Sequence, residues 1–531
     1  MINAYGGLPR QVCRELKSCL QVKVYPAVNR NTSKIVPELG LTSDLGALVT
    51  LSGQGNGEKP RAKSRKDLHL IAIQRQQQQQ PVKYYSDNGF RKVVPYYYTF
   101  TAFCKRRWVG QKLYDVLASE FNFDSEEMIK HRMTHGQIKV NGSPVGLDYM
   151  LRDSDLVEHN VHRHELPVLD EEIKTVFEDD QLLVVNKPSS LPVHPCGQFH
   201  HNTLAKILYN ERHISNLYVI HRLDRMTSGL ILIGKTSESA SKISSEISER
   251  NVSKYYVCEV EGKFKGPGQN ASDPPTPVIV DQPLGRLNQK MGLNAVMPES
   301  EGGKPSKTSF IRIVWRKPKN AADPGSSIVL CRPHTGRTHQ IRVHAQYLGF
   351  PLVDDPLYNS YDWGPTKGAF AKYVEPRSAL IEALAASRSR SAYLQAAVLE
   401  EGPSDSETAN NNGNTVSHTE DGAPPVKAAR LDPVDAPGTT GVRYYPLDMA
   451  NEEQRAILEA AYDRDCPDCN RRFADPQLRN LVLRLHAFRY SGSNWSFTAP
   501  LPAWATAIAR EADELEGRDL SAVIEELLPL L

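Results

Sequence analysis

One aspartate of this chain lies in a short polar turn with an arginine close on each side. The stretch YVIHRLDRMTSGLILIGKT, residues 218–236, places Asp224 after Arg222 and directly before Arg225, and apolar runs flank the turn. Runs rich in Ile, Leu and Val predict β-strands, so a rigid frame would present the carboxylate. A carboxylate held in this way can act as a nucleophile or a base. An ordinary surface ion-pair patch is the alternative.

The carboxylate of Asp224 needs a cationic or hydrogen-bonding partner to stay ionised if it is partly buried. Arg222 and Arg225 are the local candidates. Arg342 is a distant candidate, because the stretch THQIRVHAQYLG, residues 338–349, predicts a helix after a Thr-Gly turn. Only the tertiary fold could bring that helix to the turn.

The elements around the turn predict an α+β fold, with a mixed, mostly antiparallel β-sheet and flanking helices. Six apolar runs predict strands, at residues 182–188, 218–221, 229–234, 254–262, 309–316 and 326–333. Three stretches with helical periodicity predict helices, at residues 202–212, 238–250 and 338–349.

The composition argues against membrane-spanning and disulfide-rich classes of protein. The chain has 531 residues, of which 40% are hydrophobic and 24% charged, and its formal net charge is +2. No apolar run approaches the roughly 18 to 20 residues that span a bilayer. The cysteines are scattered apart from Cys466 and Cys469, which is typical of a reducing compartment. We expect the cytoplasm or nucleus, with a mitochondrial transit peptide as the alternative.

Segments poor in large apolar residues divide the chain into units. Residues 1–90 are expected to form a low-complexity, disordered N-terminal region, which includes the basic stretch KPRAKSRK and a glutamine run. The other expected units are a small domain at 91–165, a central domain at 166–380 with an insert at about 263–305, a disordered linker at 381–440 and a C-terminal extension at 441–531 that packs on the central domain.

The small domain at 91–165 is predicted to contain two helices and a small sheet with a basic surface. Helical spacing marks residues 108–121 and 126–133, and Asn141-Gly142 is a strong hairpin signal. The basic residues that suit a phosphate-binding surface are Lys105, Arg106, Arg107, Lys112, Lys130, Arg132 and Lys139. A solvated basic face is the alternative. The pattern resembles the alpha-L RNA-binding fold, although the first helix lacks a dense arginine ladder.

Four motifs follow one another along the central domain. They are NKPSSLPVHPCG at 186–197, HRLDRMTSGLILIGKT at 221–236, SKYYVCEVEG at 253–262 and RPHTGRTHQIRVHAQYLGFPLVDDPLY at 332–358. These motifs closely resemble those of the RluA-type pseudouridine synthases. The stretches NGFRKVVPYYYTF and HRHELPV resemble segments of the family's eukaryotic branch, which modifies tRNA or messenger RNA. The chain departs from the pattern at Ser190 and Asp354, where many members carry glycine.

The resemblance implies an RNA pseudouridine synthase that uses no metal, nucleotide or redox cofactor. It assigns catalysis to Asp224, and Arg342 would pair with that carboxylate. Tyr256 would lie against the uracil ring, Ile341 would line the pocket, and Arg222 would fill the stack left by the extruded nucleotide. The expected partner of a monomeric chain is RNA, with tRNA first and messenger or organellar RNA as alternatives, and no membrane. A catalytically silent RNA-binding protein with this fold is the competing hypothesis.

Metal-ligating residue types occur in two other places. His221, His339 and His344 form the first group, but the i,i+5 spacing of His339 and His344 does not put them side by side in the helix at 338–349, and the resembled family uses no metal. No metal is therefore expected there. Cys466 and Cys469 form half of a zinc site or a plain thiol pair. A zinc deaminase is not indicated, because its H-x-E and P-C-x-x-C signature is not met: the HTE stretch lies in the linker and no proline precedes Cys466.

The end of the chain carries a further helical pattern. The stretch LRNLVLRLHAFRY, residues 478–490, predicts an amphipathic helix. The stretch WSFTAPLPAWA that follows resembles the C-terminal extension of the same family.

Overall fold

The computed structural model describes most of the chain between residue 82 and the end. The described ranges are 82–120, 126–215, 217–264, 276–289, 291–390, 451–466, 468–470, 475–515 and 517–531. The predictions for residues 1–81 and 265–275 lie outside these ranges, and so does the predicted linker 381–440 after residue 390. The first ten residues of that linker, 381–390, are helical and not disordered as predicted. Within them, no helix has the length and apolar character needed to cross a membrane.

The described residues form nineteen strands and nine α-helices. The strands are β1 (Tyr84–Asp87), β2 (Phe90–Val93), β3 (Tyr96–Phe103), β4 (Ile138–Val140), β5 (Ser143–Pro144), β6 (Leu156–Arg163), β7 (Val168–Leu169), β8 (Lys174–Glu178), β9 (Leu182–Lys187), β10 (Tyr218–Val219), β11 (Ser228–Gly234), β12 (Ser253–Glu261), β13 (Val278–Asp281), β14 (Leu284–Asn288), β15 (Leu293–Val296), β16 (Lys307–Arg316), β17 (Ser326–Pro333), β18 (Leu485–Ser491) and β19 (Ser496–Thr498). The helices are α1 (Leu113–Glu120), α2 (Glu126–Thr134), α3 (Leu204–Arg212), α4 (Ser237–Ser248), α5 (Gln340–Tyr347), α6 (Arg377–Arg390), α7 (Glu452–Ala460), α8 (Ala503–Glu511) and α9 (Leu520–Leu527).

The small domain consists of helices α1 and α2 against a four-stranded antiparallel sheet of order β3-β6-β4-β5. Both predicted helices and the hairpin are confirmed. Asn141 and Gly142 have φ of 54° and 85°, and positive φ at both central residues is what a type I′ turn requires. Apolar residues of both helices and of the sheet, among them Leu113, Ile129 and Ile138, form a core of their own.

A ten-stranded sheet organises the central domain. Its order is β13-β16-β17-β12-β18-β11-β9-β8, while β10 pairs with β11 and β19 pairs with β18. Neighbouring strands are antiparallel except β11 and β18, which are parallel. All six predicted strands lie in this sheet, and the three predicted helices are α3, α4 and α5. The prediction of a mixed, mostly antiparallel sheet with flanking helices is therefore confirmed.

The predicted amphipathic helix at residues 478–490 is wrong. A 3₁₀ turn at Leu478–Leu481 leads instead into strand β18, which lies between β12 and β11 in the middle of the sheet. Residues 485–488 are all buried. A strand buried on both faces shows no polar–apolar alternation, and together with the leucines that precede it in the stretch 478–490 it imitates the spacing of a helix.

The remaining C-terminal residues cover one face of this sheet. Helices α8 and α9 pack against β16 and β17 through a second apolar core, which includes Ile311, Ile328, Ile508 and Ile524. The chain end and the central domain thus share one sheet and one core.

Two further regions extend the central domain. The described part of the expected insert supplies β13 to the sheet edge and the hairpin β14–β15, whose Leu293 packs against Trp363 and Leu380. At the other end, β1 pairs with β2, so regular structure begins inside the region 1–90 that was predicted to be disordered.

Candidate active site

The predicted catalytic aspartate lies in the Asp224 turn, residues 221–227, which connects β10 to β11. The turn is closed by the Thr227 N–H, which donates to the Asp224 carbonyl at 3.0 Å. Beneath it lies Lys187, whose side chain is fully buried. Its ammonium group donates to three carbonyl oxygens, those of Pro188, Leu191 and Arg225, at 2.8, 2.8 and 3.1 Å.

Lys187 fixes the turn because its three protons match three acceptors. Burial, and to a smaller extent the nearby Arg225, lowers the pKa of Lys187 to about 7, although the Asp224 carboxylate opposes that shift. Ser189 adds a hydrogen bond from its hydroxyl to the Met226 carbonyl. The NKPSS motif therefore supports the turn from below.

Arg342 reaches Asp224 from helix α5. Its Nη1 lies 3.5 Å from Asp224 Oδ2, while its Nε and Nη2 each donate to Asp355 at 2.7 Å. This two-point pairing fixes the guanidinium plane. Asp355 is fully buried and also accepts the N–H groups of Leu357 and Tyr358.

The charges of this pair are mutually stabilised. Burial alone would lower the pKa of Arg342, but the carboxylates of Asp355 and Asp224 raise it above its ordinary value. Burial raises the pKa of Asp355, and Arg342 with the two backbone N–H groups outweighs it, so the pKa is lowered. Both groups are therefore ionised at neutral pH, and Arg342 presents a permanent positive charge to Asp224.

His339 is a second neighbour of Asp224. Its Nε2 lies 3.5 Å from Asp224 Oδ2, and its Nδ1 lies 2.9 Å from the Tyr358 hydroxyl. That hydroxyl already accepts the Asn294 N–H, so its own proton is directed to Nδ1. Burial lowers the pKa of His339 to about 4. We therefore assign a neutral ring with its proton on Nε2, facing the carboxylate.

Asp224 is ionised yet accessible. Burial raises its pKa, but His339, Arg342 and Arg222 outweigh that effect and the pKa falls below the ordinary value. Because His339 is neutral above about pH 4, the two arginines supply the positive charge at neutral pH. A quarter of the Asp224 side chain, 25%, is exposed, so the carboxylate can meet a ligand.

Tyr256 lies in β12 and is 9% exposed. Its hydroxyl is 2.6 Å from that of Tyr490 in β18. Burial raises the pKa of Tyr256 to about 12, the Tyr490 hydrogen bond opposes this, and the negative charge of Asp224 adds to it. The phenol is therefore protonated at neutral pH. Its ring is held at one end by the strand backbone and at the other by the hydrogen bond to Tyr490.

The other two predicted residues differ in position. Arg222 is exposed at the start of the Asp224 turn and helps to lower the pKa of Asp224. Ile341 precedes Arg342 on α5, and it is 6% exposed within the main core. The structure thus places Arg342 and Arg222 close enough to Asp224 to stabilise its negative charge, and it surrounds Ile341 with apolar residues.

The C-terminal strand approaches the turn so closely that only glycine fits. Gly229 follows the turn in β11 with φ of 112°, and a Cβ there would lie 2.3 Å from the Ala487 carbonyl oxygen in β18. The adjacent Ser228 hydroxyl lies 2.9 Å from Nδ1 of His486. The TSG motif therefore serves the parallel pairing of β11 with β18.

Two residues that depart from the family pattern keep a glycine-like backbone. Ser190 and Asp354 have φ of 65° and 58°, in the left-handed region that favours glycine. The fully buried Ser190 uses its hydroxyl to accept the Leu169 N–H at 2.8 Å. Both positions thus have a backbone conformation that glycine adopts without strain.

Sequence reasoning missed several residues of the site. Asp355 and Lys187 both lie inside the motifs quoted above. A buried arginine needs a carboxylate partner, which would have pointed to Asp355, and the turn needs a support, which would have pointed to Lys187. His339 was considered only as a metal ligand. Tyr490 had no signal, because its strand was predicted as a helix. Among the described residues, the group of side chains that could hold a metal ion lies elsewhere, at residues 162–164 and 466–469.

Comparison with known proteins gives a consistent answer. A family model described as RNA pseudouridylate synthase matches residues 181–347. The chain is 35% identical over 425 residues to human pseudouridylate synthase RPUSD2, covering 80% of this chain and 74% of the relative. It is 42% identical to the mitochondrial tRNA pseudouridine(32) synthase of Saccharomyces cerevisiae, over 53% of this chain and 58% of the relative. It is 32% identical to the tRNA pseudouridine(31) synthase of the same yeast, over 53% and 74%.

Proposed function

Because this chain belongs to the RluA-type RNA pseudouridine synthases, we propose that it isomerises uridine in RNA with Asp224 as the catalytic residue. The reaction breaks the bond from ribose to the uracil nitrogen N1, turns the base and rejoins it through C5. The C5 proton leaves and N1 gains a proton, so the product is an isomer. The observation that carries the proposal is an ionised, 25% exposed carboxylate beside a buried arginine.

The neighbours support a division of roles around that carboxylate. Arg342, held by Asp355, keeps Asp224 ionised and oriented for attack or proton removal. The ring of Tyr256 lies against the uracil, and Ile341 closes the apolar side of the pocket. Arg222, which is exposed, takes the place of the extruded nucleotide, since a base inside a stack cannot be reached.

A tRNA is the substrate that the relatives favour. Two of them, both from yeast, are named as tRNA pseudouridine synthases. The small domain adds exposed basic side chains, Lys105, Arg106 and Lys130, that suit contact with phosphates. Messenger and organellar RNA are the alternatives. One of the yeast relatives is named as mitochondrial, which supports a mitochondrion beside the cytoplasm and nucleus as the place of action.

The test is substitution of the carboxylate. Asp224→Asn keeps the size of the side chain but removes its charge, and an amide is a poor nucleophile and base at neutral pH. Release of tritium from RNA labelled at uracil C5 should vanish, while RNA affinity should stay within about tenfold, equivalent to about 1.4 kcal/mol. The matched control is Asp180→Asn, which removes an exposed carboxylate and should leave release unchanged.

Two outcomes would contradict the proposal in different ways. Wild-type protein that releases no tritium from any cellular RNA pool, yet binds RNA, would favour the catalytically silent protein. Near-normal release by Asp224→Asn would leave the enzyme intact and remove Asp224 from the catalytic role.

A further inference from the structure

Four side chains from distant parts of the chain form a histidine–cysteine cluster, His162, His164, Cys466 and Cys469. His162 belongs to β6 of the small domain, and His164 follows that strand directly. The two cysteines lie in the loop after α7. The ligand atoms of all four residues lie within 4.8 Å of one another.

The spacing of these atoms is that of a tetrahedral metal site. Cys469 Sγ lies 3.5 Å from His162 Nδ1 and 3.3 Å from His164 Nε2, and Cys466 Sγ lies 3.6 Å from the same His164 nitrogen. A tetrahedral zinc ion with Zn–S bonds of about 2.3 Å and Zn–N bonds of about 2.0 Å separates sulfur from nitrogen ligands by roughly 3.5 Å. The three distances agree with this value.

The surroundings of the cluster also suit a metal. Cys466 and Cys469 are 5% and 0% exposed, and they pack with Val94 and Leu458 in a small apolar core. The Asp463 N–H donates to Cys469 Sγ at 3.4 Å. Such a hydrogen bond stabilises a thiolate that ligates a metal.

A second layer of contacts orients one of the histidines. The Tyr97 ring lies 4.9 Å from that of His162, and the Tyr97 hydroxyl donates to the Asp463 carboxylate at 2.7 Å. The loop after α7 is therefore joined to the sheet of the small domain twice, at β6 through the cluster and at β3 through this tyrosine. The cluster is built on other elements than the Asp224 turn.

We propose that the histidine–cysteine cluster binds one Zn²⁺ as a closed structural site. Two thiolates and two imidazoles complete tetrahedral coordination, which leaves no open position for a substrate. The ion would join β6 of the small domain to the chain that continues into β18, and so hold the small domain against the central domain. A redox-active Cys466–Cys469 pair is the competing assignment, but it gives no role to two histidines whose nitrogens lie against the sulfurs.

The metal content of the full-length protein tests this directly. Protein made without a polyhistidine tag, in zinc-supplemented medium and under reducing conditions, should carry one equivalent of zinc per chain. Its X-ray absorption should show both sulfur and nitrogen neighbours at the distances given above. Removal of the zinc and addition of Co²⁺ should produce the intense ligand-field bands of a tetrahedral ion, together with thiolate-to-cobalt charge transfer.

Single substitutions locate the site. Cys469→Ser and His164→Asn should lower the zinc content severalfold and weaken the cobalt bands, and Cys469→Ser should also reduce the charge-transfer intensity. Cys196→Ser is the matched control, because it removes an exposed thiol outside the cluster and should leave both readouts unchanged. Should the variants aggregate, the wild-type spectra decide the question alone.

The proposal is overturned if zinc-supplemented wild-type protein contains only traces of metal and gives no tetrahedral cobalt spectrum. Full zinc content in Cys469→Ser, or a Cys466–Cys469 disulfide in freshly isolated protein, would also overturn it. None of these outcomes bears on catalysis by Asp224, which the tritium assay measures separately.

Discussion

The Asp224 turn and the histidine–cysteine cluster both join residues that are far apart in the chain, but they use polar groups differently. In the cluster, the ligand atoms of four buried or half-buried side chains lie within 4.8 Å of one another and would fill the coordination of the proposed ion. At the turn, Arg342 directs its two-point pairing to Asp355, so Asp224 receives from this arginine a single contact at 3.5 Å and stays 25% exposed. A closed arrangement suits structure, while an incompletely paired carboxylate suits chemistry.

The incomplete pairing has a structural cost that the neighbours offset. Breaking a buried ion pair leaves an uncompensated charge and costs about 3–5 kcal/mol. Arg342 avoids that cost because Asp355 neutralises it whether or not Asp224 is engaged with RNA. If Asp224 is the catalytic residue as proposed, it can therefore change its contacts during the reaction while the charge of Arg342 stays neutralised by Asp355.

The largest expected effect is that of Asp355→Asn. Loss of the buried carboxylate leaves Arg342 without its orienting partner, so we expect destabilisation of about 3–5 kcal/mol and severe loss of tritium release. Denaturant unfolding and the tritium assay measure the two effects. The neighbouring Asp354 is 53% exposed and lies 4.0 Å from Arg484, so Asp354→Asn is the control and should change little. Equal behaviour of the two variants would contradict the role given to Asp355.

The next largest effect is expected for Gly229→Ala. The new Cβ would collide with the Ala487 backbone, and overpacking of this kind costs about 1–3 kcal/mol. Activity should fall as well, because β18 carries Tyr490, the partner of Tyr256. Gly146→Ala is the control, since its Cβ would meet no atom within 4 Å. An unchanged free energy of unfolding for Gly229→Ala would contradict the close approach of β18 to β11 at this position.

Zinc removal should affect the stability that the cluster provides and leave the chemistry at the Asp224 turn unchanged. A metal bound only by the folded protein adds about 4 kcal/mol to its stability at a thousandfold excess over the dissociation constant. Chelation should therefore lower the unfolding temperature, while single-turnover isomerisation at a temperature where the apoprotein stays folded should be retained. Loss of that turnover, restored by zinc, would mean that the cluster takes part in catalysis or in RNA docking.

A smaller effect is expected from the basic surface of the small domain. Arg106→Gln should reduce the slope of log affinity against log salt by about 0.7 to 0.9 if the side chain contacts one phosphate. Lys242→Gln, which removes an exposed charge from α4, is the matched control. RNA affinity that does not change with salt in the wild-type protein would argue against phosphate contacts.

The smallest effect is expected for pH. The pKa of Asp224 lies below its ordinary value of 3.8, so its charge is lost only as the pH falls through that lower range. The pKa of His339 is about 4, so its ring stays neutral above it. Neither group should therefore produce a step in the single-turnover rate between about pH 6 and 8, where an ordinary histidine titrates. Any step near pH 7 is expected from Lys187, whose pKa is about 7. A step near pH 6.5 that disappears in His339→Gln would contradict the neutral assignment.

Local patterns predicted much of this protein. The six apolar runs, the five helices predicted before residue 350 and the Asn141-Gly142 turn depend on residues close together in sequence, and the structure has all of them. The Asp224 turn was identified for the same reason, because its motif is contiguous. Arg342 was found through a second contiguous motif, although the 3.5 Å contact between them was not visible from either one.

Only the tertiary structure decided how distant segments combine. The sequence of strand β18 resembles that of a helix because the sheet buries both of its faces. Its Tyr490 contacts Tyr256, which lies 234 positions earlier in the chain. Cys466 and Cys469 were half of a metal site until the fold brought them to His162 and His164. Neither pairing leaves a trace in local spacing, because the groups that satisfy a buried hydroxyl or thiol are chosen by packing between segments and not by neighbours along the chain.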